Sequence, residues 1–137
     1  MKKILVGLLL LLGACDSAAR QSATVVVNAV IRFRTADLAG TPAAVEALRA
    51  TPCTEESCPT KQACLAAGDS IAQGLRIKGE VEQMIPKAER KELAPDSIEV
   101  LTMPSRLEQA DALLKKGFDA LPACDESMQG LKRKHRL

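Results

Sequence analysis

Aromatic side chains are almost missing from this 137-residue chain: Phe33 and Phe118 are the whole complement, with no Trp and no Tyr. Without stacking platforms the chain is poorly equipped for single-stranded nucleic acid or for a cage around a quaternary ammonium group. Histidine is nearly absent too. His135 is alone, third from the end of a basic stretch, where a catalytic imidazole would lack the packing and third group that hold it in a triad. No C-x-x-C pair, C-x-x-C-H or EF-hand loop occurs. Gly74 and Gly79 have the spacing of a phosphate-binding loop, but Glu80 stands where the lysine belongs and no strand precedes. The carboxylate pairs Glu55/Glu56, Glu80/Glu82 and Asp96/Glu99 read as solvated faces or caps, since acid/base work needs a cleft that splits their pKa values. These absences argue against an enzyme and lead us to expect no cofactor, no metal site and no nucleic-acid partner.

What is present begins at the N-terminus. Lys2 and Lys3 precede the apolar run Ile4–Leu12, which is shorter than the about 20 residues a spanning helix needs but suits an export signal. The run closes on Leu12-Gly13-Ala14-Cys15 and turns polar at Asp16. This tetrapeptide resembles the lipobox of bacterial lipoproteins. The resemblance implies cleavage before Cys15, a diacylglyceryl thioether on its sulfur, and usually a third acyl chain on its nitrogen. Two or more chains anchor a protein stably where one does not. Asp16 resembles the sorting signal that keeps such lipoproteins in the inner membrane, which favours its periplasmic face over the cell surface. The resemblance covers residues 1–15 and is silent on the rest.

Removing residues 1–14 leaves 123 residues, enough for one domain. The 19 cations and 17 anions of the precursor then become 17 of each, because Lys2 and Lys3 leave with the signal. The neutral chain is uneven: Lys132, Arg133, Lys134 and Arg136 crowd its C-terminus. Such a cluster complements a helix C-terminus and is also a candidate contact for an anionic surface.

Cys53, Cys58, Cys64 and Cys124 make an even set in an exported chain, where disulfides form and persist. Their spacing does not fit zinc ribbons. Cys64 shares a helical face with Gly68, Ile71 and Leu75, and Cys124 shares one with Leu107, Ala110, Leu114, Phe118, Leu121 and Met128 if the phase runs through Pro122. Packing these stripes favours Cys64–Cys124, with Cys53–Cys58 closing a short loop. Cys53–Cys64 with Cys58–Cys124 would staple the same two helices.

The segment 24–34, rich in Val and Ile, fits a helical stripe (Val26, Ala29, Val30, Phe33) and a strand alternation (Val25, Val27, Ala29, Ile31, Phe33) alike. The scarcity of strand partners points to a helix, with Gly40 placed to end it. Thr41 is set to cap a short helix to about Ala50, with Pro42 at its first position. A longer helix is expected from Pro59 to about Ile85, stopped by Pro86, with Gly68, Gly74 and Gly79 marking a kink or a close contact. After a charged loop to Asp96, Pro104 separates a short turn from a helix starting at Ser105, and Pro122 kinks or restarts it. Ile77, Val81 and Met84 lie opposite the Cys64 stripe as a face for a partner or for the first helix.

The expected architecture is all-α: three or four main helices in a small bundle stapled by two disulfides. Residues 1–14 are the cleaved signal, 15–22 the lipidated Cys and a short flexible tether, 23–131 one helical domain and 132–137 a basic tail. The function this suggests is an interaction or structural module of the cell envelope, held on the membrane through lipidated Cys15 and facing an envelope protein partner. The alternative is a carrier for a small ligand or lipid, with an apolar cavity between helices.

Overall fold

In the segment 24–34 the helical stripe wins. Ala23, Val26, Val27, Val30 and Phe33 are buried, whereas Val25 and Ile31, inward on the strand pattern, are each 41% exposed. Burying that stripe outweighs the modest helix propensity of the β-branched residues. The computed structural model describes the backbone of residues 4–137 and the side chains from residue 17 onward. Its helices are α1 (Ile4–Thr35), α2 (Thr41–Ala50), α3 (Cys58–Glu89) and α4 (Ile98–His135). No strand occurs among the described residues, and none of their helices is long and apolar enough to cross a membrane. Cys15 and Asp16, on which the expected anchor rests, lie outside the described side chains.

The chain runs up, down, up and down. Ser22 near the start of the described part of α1 meets Ser57 just before α3, their hydroxyl oxygens 2.9 Å apart. Arg34, a helix-length further along α1, makes a two-pronged bond to Asp125 of α4, both contacts at 2.9 Å. The helices α3 and α4 pair antiparallel from Thr60 to Glu80 of α3. Thr60 bonds Ser127, Cys64 is bridged to Cys124, Gly74 lies on Ala110 and Leu114, and Arg106 reaches Glu80. One register therefore holds from the base of the hairpin to its upper part.

Both disulfides have the pairing favoured by the helical faces. Cys53–Cys58 closes the loop before α3 with a Cα–Cα distance of 5.1 Å. Cys64–Cys124 joins α3 to α4 at 4.5 Å, with both cysteines fully buried. In the chain-entropy model closures of these lengths contribute about 2 and about 4 kcal/mol. Around the long bridge the core gathers Val26, Val30 and Phe33 from α1, Val45 and Leu48 from α2, Ile71 from α3, and Met128 and Leu131 from α4.

Several boundaries differ from expectation. Residues 17–22, read as a flexible tether, continue α1, since Ala18, Ala19, Arg20 and Gln21 are good helix formers and Ser22 is held by Ser57. The first helix ends at Thr35, before Gly40. Gly40 instead caps α2, its N–H held by the Asp37 carboxylate at 2.6 Å. Thr41 is then the first residue of α2, and its hydroxyl donates back to the Asp37 carbonyl. The third helix runs through Pro86 to Glu89, and α4 starts at Ile98 and runs unbroken through Pro104 and Pro122. All three prolines are exposed, so water can take the carbonyl each one frees and the helix survives. Ser97, between the expected capping pair Asp96 and Glu99, is the N-cap, accepting from the Val100 N–H. Phe118, assigned to the buried stripe, is 52% exposed, and Ile77 and Val81 are buried rather than offered to a partner.

Candidate functional site

The bundle has a lower end, nearest residue 17, and an upper end at the α3–α4 turn. At the lower end the C-terminal stretch is no frayed tail. Helix α4 continues to His135, and Arg136 turns left-handed at φ 52°, ψ 50°. The Leu137 N–H bonds the Lys132 carbonyl and the Arg136 N–H bonds that of Arg133. This pair of bonds is a Schellman closure, which satisfies the last carbonyls of the helix.

The same closure packs His135 inward. Its side chain is 6% exposed, with Nε2 lying 3.0 Å from a Glu56 carboxylate oxygen yet making no hydrogen bond. Lys134 approaches the same oxygen at 3.3 Å. Glu56 sits in the short disulfide loop, which is further tied down by the Ser57 hydroxyl accepting from the Thr54 N–H at 3.0 Å. Arg20 on α1, Lys134, His135 and Arg136 together line a polar cleft of about 360 Å³. Of the basic cluster, the structure thus brings Lys134 and Arg136 to one cleft with Arg20, while Lys132 and Arg133 lie outside its walls. Sequence reasoning missed Arg20 and His135. The only available signal was an up-down-up-down path, which returns the C-terminus to the start of α1.

Higher up, the turn between α1 and α2 creates two surface grooves. One, of about 580 Å³, runs beside Pro42, Val45, Asp69 and Arg76. The other, of about 460 Å³, is lined by Leu38, Leu75, Gly79, Leu114 and Phe118 and reaches as far along α3 as Glu82. Both open to solvent. Along the α3–α4 seam the packing is close: a Cβ at Gly117 would come within 2.5 Å of Ile71, and one at Gly74 within 2.8 Å of Leu114.

Past Glu82, α3 runs on for about two turns to Glu89 and α4 begins at Ile98, together forming an arm. Ile85 (42% exposed), Ile98 (68%) and Leu101 (63%) lie on this arm. Extending the register of the hairpin brings Ile85 level with Leu101, and Ile98 is one turn from Leu101 on the same face. Below them Glu80 clasps Arg76 and Arg106. The hydrogen bond from Arg76 and the contact with Arg106 hold its carboxyl below the usual glutamate range, against partial desolvation.

The carboxylates singled out in the sequence are thus spread over the molecule: Glu56 at the lower end, Glu80 in an interhelical clasp, Glu82 beside an open groove. Among the described residues no three His, Cys, Asp or Glu side chains gather as a metal site. The chain matches no family model, no curated protein and no solved structure.

Proposed function

We propose that the protein is a lipid-anchored module of the bacterial cell envelope, tethered through Cys15, that presents a helical arm to a protein partner. The observation that carries this reading is the placement of exposed apolar side chains. Ile85, Ile98 and Leu101 occupy the end of the molecule opposite residue 17, and α3, with its 32 residues, is about 48 Å long. A tether at Cys15 would set the base against the membrane and hold the apolar arm at that height, confined to the plane where a membrane-associated partner is concentrated. Asp16 favours the periplasmic face of the inner membrane for this location.

The test is crosslinking in native membranes followed by non-reducing purification. A partner recovered in stoichiometric amount with the wild-type chain, and lost with Ile98→Asp/Leu101→Asp, is the expected result. Recovery of the same partner with that variant would refute the arm as the contact. A chain that purifies alone would refute the adaptor reading.

A further inference from the structure

The lower-end cleft is unlike the rest of the surface. Elsewhere Arg34, Arg49, Arg76, Arg90 and Arg106 each lie within salt-bridge distance of a carboxylate, while Arg32 and Arg133 stand singly, with no carboxylate that near among the described residues and no second guanidinium sharing a cleft with them. In the cleft Glu56 is shared by Lys134 and His135, and neither Arg20 nor Arg136 has a carboxylate within 4.0 Å among the described residues. His135 lines the polar cleft, and its buried Nε2, 3.0 Å from a Glu56 carboxylate oxygen, is not aligned for a hydrogen bond there. Two guanidinium forks, an ammonium and an imidazole around one cleft match the tetrahedral oxygens of a phosphate group better than a lone carboxylate.

Position selects the source of the phosphate. Arg20 is five residues from Cys15 in sequence and in the same helix, so its Cα is about 7.5 Å along the axis from that of Cys15. Resting on the tether reading above, we propose that Arg20, Lys134, His135 and Arg136 hold the phosphate of an anionic phospholipid headgroup, docking the base of the bundle onto the leaflet that carries its own lipid. The left-handed turn at Arg136 ends α4 at the cleft that Arg136 lines with Arg20.

The full chain, purified from membranes in neutral detergent and moved into bicelles, tests the site through the Nε–Hε NMR resonances of its arginines. Three titrations are compared: phosphatidylcholine alone, phosphatidylcholine with phosphatidylglycerol, and inorganic phosphate. Expected are saturable shifts at Arg20 and Arg136 with phosphatidylglycerol and none with phosphatidylcholine alone. In Arg20→Gln/Arg136→Gln, followed at the His135 imidazole, half-saturation should require roughly thirtyfold more anionic lipid, at about 1 kcal/mol per cation. Lys132→Gln/Arg133→Gln removes equal charge beside the cleft and should leave the Arg20 and Arg136 response in place. Equal weakening by both double variants would overturn the cleft in favour of a diffuse basic surface. A response to inorganic phosphate alone would overturn the lipid as its source, and no response to either would overturn the site. Intact mass of the same preparation reports on Cys15 separately. A lipidated chain without shifts overturns the headgroup site and leaves the tether standing, whereas shifts on an unlipidated chain do the reverse.

Discussion

Lys91 sits at φ 59° just beyond α3, a conformation that costs a side-chain-bearing residue about 1–2 kcal/mol relative to right-handed backbone. The Lys91 and Glu92 N–H groups bond the carbonyls of Ala88 and Lys87, the same Schellman closure that Arg136 makes for α4. Glycine is the usual occupant of this position, so Lys91→Gly should stabilise the protein by about 1 kcal/mol and raise its melting temperature by about 4 °C. No residue type in "ERKEL" signals a helix end, which is why Pro86 attracted the boundary in the sequence. Charge at Glu80 has a sign that can be checked as well. Because Arg76 and Arg106 depress its pKa, its contribution is present above the unfolded value of about 4.3 and is lost as pH falls through the lower folded value. Glu80→Gln should therefore melt below wild type at neutral pH, with the gap closing below about pH 4.

Among elements, the α3–α4 pair depends on glycines that are not equivalent. At Gly117 an added methyl group would meet the backbone of Ala67 and Ile71 at 2.9 Å as well as the Ile71 side chain, whereas at Gly79 it would meet nothing within 4 Å. Gly117→Ala should destabilise by about 1–3 kcal/mol through overpacking. Gly79→Ala should stabilise by about 0.5–1 kcal/mol by removing the entropic penalty of a helical glycine. Denaturant titration of both variants reads the contrast. Helix spacing in the sequence marked Gly68, Gly74 and Gly79 together, since spacing reveals a face and not its neighbour's distance. It marked the cysteine faces correctly because Cys64 and Cys124 each lie on an unbroken apolar stripe. It misread Pro104 and Pro122 because a proline's cost depends on whether water reaches the freed carbonyl, which is a property of the packed molecule.

At the scale of the whole molecule, α1, the short helix α2 and the long α3–α4 hairpin form a base with an arm. Its integrity rests on the Cys64–Cys124 bridge, which spans 60 residues. Replacing both cysteines by alanine should cost about 4 kcal/mol, seen as an earlier urea midpoint. The equivalent change at Cys53 and Cys58 should cost about 2 kcal/mol and loosen the loop that carries Glu56. The all-α class, the bundle and both disulfides were legible in the chain, since apolar period and cysteine phase are local properties. The lower-end cleft was not, because Arg20 and Arg136 are separated by almost the entire chain and meet only through the up-down-up-down path. That path would set a base tethered at Cys15 at one end of the molecule, with the exposed apolar arm at the other.

Intact-mass analysis of the protein extracted from the cells that make it, with sequencing of its N-terminal peptide, tests the proposed tether most directly. A mature chain that begins at Cys15 and carries a diacylglyceryl thioether is the predicted result. A chain that retains residues 1–14, or one that begins elsewhere with an unmodified Cys15 thiol, would contradict the tether.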